Sequence, residues 1–87
     1  MKQRYKAGLE TAMKELSEGY RIEHQYTQEK MAERLDISAK AYDNLKHGRN
    51  SFSAATLMML LIQLEDEQVL EFVKEIRILR KDLWEQS

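Results

Sequence analysis

Apolar residues recur along this chain in groups whose spacing is that of helix faces, with no run of strand-like alternation. In the first group Tyr5, Leu9, Ala12 or Met13, and Leu16 return every three or four positions, which predicts a helix over residues 3–18 ended by Gly19. Residues 20–26 show no clear helical period and read as a connector with two or three side chains pinned to the core. Thr27 then stands where a helix N-cap is wanted, ahead of a second helix that turns Met31, Ala32 and Leu35 inward. Asp36 falls where the chain must turn, and aspartate tolerates the left-handed conformation better than most residues. Ser38 caps a third helix over 39–47, with Ile37 and Tyr42 spaced as a hydrophobic staple. That helix buries Ala41 or Tyr42 together with Leu45, and leaves Ala39, Lys40, Asp43, Asn44 and Lys46 toward solvent or a ligand. Gly48 stops it.

Beyond a loop at 49–51, Ser53 caps a fourth helix, and Phe52 with Leu57 repeats the staple. This helix carries more apolar surface than one face requires. Leu57, Leu60, Leu61 and Leu64 form one stripe, while Met58, Met59 and Ile62 lie on the other side. One face is expected against the second and third helices. The other is expected against a last helix, running from 66 to 83 or 84, whose stripe is Val69, Phe72, Val73, Ile76, Leu79 and Leu83. Its acidic start (Asp66, Glu67, Glu71) and basic end (Arg77, Arg80, Lys81) suit the helix dipole. Ile78 points off the stripe, to solvent or to a second subunit. Trp84 fastens the last helix to the domain or lies in a dimer seam.

Composition agrees with an all-α chain. Its 87 residues contain no proline and three glycines, and suffice for one domain, residues 1–87, near the lower size for a self-sufficient core. The absence of cysteine removes disulfides and thiolate metal sites as supports. His24 and His47 have no metal-ligand spacing and read as surface or loop residues; Met58 and Met59 read as core filler. No nucleophile elbow or phosphate-binding loop is present, so neither an enzyme nor a cofactor is expected. With no membrane-length apolar run and no signal-peptide core, a cytoplasmic protein without membrane attachment is expected. The net charge is −1, so a basic balance does not advertise nucleic acid. Residues 1–27 and 28–50 each carry five basic and four acidic side chains, whereas 51–87 carry four and seven. The N-terminal part is thus slightly positive and the C-terminal part negative, which is compatible with DNA binding through one face.

The capped pair of short helices resembles the Cro/CI-type (Xre) helix-turn-helix family of bacterial and phage regulators. The residues that carry the resemblance are Thr27-Gln28, Met31-Ala32, Leu35-Asp36 and Ile37-Ser38 in register, then Gly48, then Thr56-Leu57, Leu60-Leu61 and Leu64. They span about 27–64, nearly half the chain. The resemblance implies a five-helix, lambda-repressor-like domain whose third helix enters the major groove of duplex DNA. It places Gln28 on the DNA backbone, bracing the recognition helix, and Ala39, Lys40, Asp43 and Asn44 at base edges or adjacent phosphates. Arg49 and Asn50 fall in the loop that approaches the backbone, and Ala32 is the small residue that lets the second and third helices pack closely. Thr27, Ser38 and Lys46 complete the DNA-facing set. The chain departs from the family at Asp36, where glycine is usual, at Ala39, where glutamine is common, and at Lys46, where glutamate is common. Ala39 has no amide for adenine and offers only apolar contact to a thymine methyl; Lys46 makes its end of the helix more phosphate-friendly.

The expected function is sequence-specific transcriptional regulation, as a repressor. A two-fold homodimer is expected to match half-sites about 10 base pairs apart, joined through the fourth or last helix. With no room for a sensor domain, control is expected from concentration, proteolysis or a partner. The alternative is a protein-interaction module on the same fold, an antitoxin or repressor antagonist, whose acidic final third engages another protein.

Overall fold

The computed structural model describes the backbone of residues 2–85 and the side chains of residues 6–81. Within them the chain is all-α, with five helices: α1 (Lys2–Glu23), α2 (Gln28–Leu35), α3 (Ala39–Lys46), α4 (Ala54–Leu61) and α5 (Asp66–Glu85). The contacts expected of Tyr5, Leu83 and Trp84 lie outside the described side chains.

Three helices start in the same way. Thr27, Ser38 and Ser53 each hold an extended backbone while the side-chain oxygen accepts an N–H three residues on, from Lys30 at 3.0 Å, Ala41 at 3.0 Å and Thr56 at 3.1 Å. Each hydroxyl satisfies a donor that the first turn would otherwise leave unpaired.

Three helices also stop in the same way, at a residue in the left-handed region: Gln25 (φ 57°), Asp36 (φ 60°) and Gly48 (φ 73°). At each stop that residue's N–H reaches three residues back, to Ile22 O, Glu33 O and Leu45 O. The next N–H reaches five back, from Tyr26 to Arg21 O (2.9 Å), Ile37 to Ala32 O (3.0 Å) and Arg49 to Asn44 O (2.9 Å). This paired closure satisfies the last carbonyls and reverses the chain within two residues.

The end of α1 corrects the expectation drawn from Gly19. The helix continues through Gly19 to Glu23 and stops at Gln25. A glycine inside a helix costs about 1 kcal/mol relative to alanine. Continuing the helix carries Tyr20 into the core at 6 % exposure, and burying a side chain of that size returns about 1.5–3 kcal/mol. Arg21 adds an ion pair to Glu18, 2.8 Å, and donates to Tyr26 O at 3.0 Å. Residues 20–23 are thus helical.

The core joins Tyr20, Met31, Ala32, Leu35, Tyr42, Leu60 and Leu64, with Leu16, Tyr26, Ile37, Met59, Leu61 and Val69 packed against it. All three residues expected to face inward from α2 do so, and on α3 the choice between Ala41 and Tyr42 falls to Tyr42. α2 packs on α3 and α4, and Gln63 ties the far end of α2 by accepting from Arg34 Nε (2.7 Å) and donating to Arg34 O (2.9 Å).

The partner expected for α5 is also corrected. α5 packs chiefly along α1, antiparallel to it, with Leu79 close enough to Gly8 that a Cβ there would lie 2.9 Å from Leu79 Cδ2. The extra turns of α1 give α5 a longer partner than the eight-residue α4. The second face of α4 is therefore split. Met59 turns to the core, while Met58 and Ile62 stay exposed. On α5, Phe72 is buried and Val69, Ile76 and Leu79 are half-buried, but Val73 is exposed with Leu70 and Ile78. No helix of the described residues is long and apolar enough to cross a membrane.

Candidate nucleic-acid interface

α3 is held from its inner side. Tyr42 and Leu45 are buried, and the Tyr42 hydroxyl, deep between α1 and α3, donates to Glu18 Oε2 and lies 3.2 Å from Ser17 Oγ. A phenol at a core position needs such a partner, because leaving a buried hydroxyl unpaired costs about 1–3 kcal/mol. Glu18 also accepts from Arg21 Nε at 2.8 Å and Arg21 Nη2 at 3.0 Å. The Arg21 bonds outweigh desolvation and hold the Glu18 carboxyl below its ordinary pKa, with Tyr42 and Lys46 acting in the same direction. Burial, then the neighbouring Glu18 carboxylate, pushes the Tyr42 phenol up to about 12. Glu18 in turn holds Arg21 above its ordinary value.

The outer side of α3 presents polar groups. Ala39 and Lys40 are exposed on its first turn, and Lys40 has no ionic partner among the described residues. Asp43 and Asn44, one turn on, are half-exposed. The turn at Gly48 brings Arg49 back over them: its Nη1 donates to Asp43 Oδ2 at 3.2 Å and to Asn44 Oδ1 at 3.0 Å. The other Asp43 oxygen faces His47 Nδ1 at 3.2 Å. Asn50 is exposed beside Arg49, its N–H directed at Asn44 O, 3.3 Å.

The ten residues singled out from sequence thus divide. Ala39, Lys40, Asp43, Asn44, Arg49 and Asn50 come together on one side of α3 and its following loop. Thr27 and Ser38 spend their hydroxyl oxygens on helix caps, and Gln28 sits half-exposed on the first turn of α2. Lys46 leans inward, 3.8 Å from Glu18 Oε1, so its charge is partly neutralised by α1. Sequence reasoning passed over Glu18, Arg21 and Ser17, the supports beneath α3. The available signal was Tyr42 itself, a hydroxyl at a predicted core position, with a glutamate–arginine pair three residues apart on the neighbouring helix. His47, expected at the surface or in a loop, is exposed, and its ring lies 3.2 Å from the Asp43 carboxylate that Arg49 also pairs with.

A groove of about 510 Å³ runs between α1 and α5, lined by Ala12, Leu16 and Phe72 and rimmed by glutamates, and it shares no residue with α3. Among the described residues no group of three or more His, Asp or Glu side chains is placed to hold a metal ion. Scans against protein-family models, curated proteins and solved structures find no match to this chain.

Proposed function

We propose that this chain is a lambda-repressor-like helix-turn-helix protein that binds duplex DNA through α3 in the major groove and represses transcription at the site it covers. The observation that carries the reading is the α2–α3 pair. Two eight-residue helices meet at a left-handed Asp36, each capped by a hydroxyl residue, with α3 fastened from beneath and open on its outer side. That outer side carries Lys40, Asn44 and Arg49, the residue types that meet phosphates and base edges. An α-helix so presented fits the width of the major groove, and its rigid support fixes the angle of entry. The exposed apolar residues Met58, Ile62, Leu70 and Val73 supply a surface through which two copies associate on a two-fold site.

A second reading draws on the same apolar residues and on the near-neutral charge: a module that binds another protein, as an antitoxin or antagonist does. The test is fluorescence anisotropy of labelled duplexes from upstream of the protein's own gene, across a salt series, with wild type and Lys40→Ala/Asn44→Ala. Sequence-selective binding that the double variant loses supports the repressor. Absence of binding at low salt, or weak binding indifferent to sequence and variant, transfers the proposal to the protein module.

A further inference from the structure

Asp43 and Asn44 occupy successive positions on α3, and the loop that follows is folded back onto them. Gly48, in the left-handed conformation, lets the N–H groups of Arg49 and Asn50 both reach Asn44 O, at 2.9 and 3.3 Å. The Arg49 side chain then bridges its two neighbours through a single nitrogen, Nη1, whose two hydrogens go to Asp43 Oδ2 and Asn44 Oδ1. The orientation of the Asn44 amide follows from chemistry, since only its oxygen can face a guanidinium donor. The remaining Asp43 oxygen, Oδ1, lies 3.2 Å from His47 Nδ1, whose shorter contact is to the Asp43 backbone carbonyl at 2.9 Å.

Asp43 Oδ2 and Asn44 Oδ1 are both engaged by Arg49. Arg49 keeps Nε–H and Nη2–H, and Asn44 its amide hydrogens, without a hydrogen bond among the described residues. Asparagine reads adenine with both halves of its amide, one accepting from N6 and one donating to N7. Here the accepting oxygen is already shared with the Arg49 guanidinium, which competes with N6 for it. Guanine presents two acceptors, O6 and N7, on the same groove edge. The Nε/Nη2 side of an arginine is a fork of matching spacing, and Asp43 holds it before any ligand arrives, which lowers the ordering cost of binding.

We infer that Arg49, clamped by Asp43 and Asn44, reads guanine in the major groove, and that the clamp withdraws Asn44 from adenine. This rests on the DNA-binding reading above and names the base it selects.

The experiment is selection from a randomised duplex library by the full chain, wild type, Arg49→Lys and Arg49→Ala, followed by anisotropy on the winning duplex with one guanine replaced by adenine or by 7-deazaguanine. Wild type is expected to enrich a fixed guanine, and either replacement to weaken it about ten-fold or more. Arg49→Lys keeps the charge but loses the fork, so its salt dependence stays while the guanine preference falls. Arg49→Ala returns the Asn44 carbonyl, and the preferred base moves to adenine. Uniform weakening of all duplexes by Arg49→Ala, with the base preference intact, would make Arg49 a phosphate contact and overturn the inference alone. Adenine in the wild-type consensus where the guanine is expected overturns it equally. Enrichment of no duplex by wild type overturns the DNA-binding reading, and this inference with it.

Discussion

The Tyr42 hydroxyl of α3 donates its proton to the Glu18 carboxylate of α1, and this bond joins the helix proposed to meet DNA to the longest helix of the fold. The surrounding core fixes the position of α3, and the bond ties the inner face of α3 to α1 through a polar contact as well. Tyr42→Phe keeps the ring and leaves Glu18 and Ser17 without this partner. The expected cost is about 1–2 kcal/mol, since hydrogen bonds to charged groups sit at the upper end of the range and Glu18 keeps its Arg21 bonds. Urea denaturation at neutral pH checks it. An unchanged midpoint would mean that the bond adds nothing beyond ring burial.

The same pair sets limits on pH. The Tyr42 phenol is pushed up to about 12, so the folded state favours its protonated form. That contribution is complete below the ordinary phenol pKa of about 10 and is lost as pH rises from there toward 12. Glu18 is shifted down, so its contribution is present above the ordinary carboxyl value and is lost as pH falls through the lowered one. Denaturation midpoints are expected to hold a plateau between these limits and to fall on both sides. In Tyr42→Phe the alkaline fall is expected to shrink. An equal alkaline fall in that variant would assign it to other groups.

Gly19 and Gly48 look alike in sequence and differ in structure. Gly19 lies inside α1, with nothing within 4 Å of where a Cβ would stand, so Gly19→Ala is expected to stabilise the chain by about 1 kcal/mol. Gly48 has equal space but a left-handed backbone, and Gly48→Ala is expected to destabilise by about 1 kcal/mol. The pair of melting temperatures decides it: shifts of the same sign would contradict the assigned backbone. Gln25→Gly is expected to stabilise modestly, by relieving the left-handed strain at the true end of α1.

These positions also show which features were legible in the sequence. The caps at Thr27, Ser38 and Ser53, the turn at Asp36 and the stop at Gly48 follow from chemistry within four residues, and each stands where local reasoning put it. The inward set on α2 and the outward set at the start of α3 follow from helical period once those boundaries are known. The end of α1 does not, because Gly19 argues locally for a stop. Continuation is repaid only by core neighbours of Tyr20 that come from later in the chain. The partner of α5 was hidden for the same reason, since it depends on how far α1 extends. The inward lean of Lys46 depends on Glu18, 28 residues earlier, and no short-range pattern reports it.

The apolar residues left exposed by the α1–α5 pairing bear on assembly. Ile62 and Leu70 are 68 % and 59 % exposed, apolar side chains that a second copy could cover. If they form the proposed two-fold seam, Ile62→Glu/Leu70→Glu is expected to give a monomer by light scattering and to weaken binding to a two-half operator more than to a single half. A wild-type monomer, free and DNA-bound alike, would remove the homodimer from the proposal.

Two lysines of α3 give the last prediction, because the structure assigns them different charge environments. Lys40 has no ionic partner among the described residues, whereas Lys46 is 30 % exposed and sits 3.8 Å from the Glu18 carboxylate. A lysine that neutralises a phosphate releases a counterion, which steepens the log–log salt dependence of binding by about 0.9. Lys40→Ala is therefore expected to flatten that slope by about 0.9 and to weaken every sequence alike. Lys46 must first leave Glu18 to do the same, and Glu18 would then face the DNA with less of its charge balanced. Lys46→Ala is expected to change the slope by much less. Affinities of both variants at four salt concentrations, on one duplex, measure the two slopes directly. A larger change for Lys46→Ala than for Lys40→Ala would show that the Glu18 pairing yields to DNA and that the first turn of α3 lies away from phosphate.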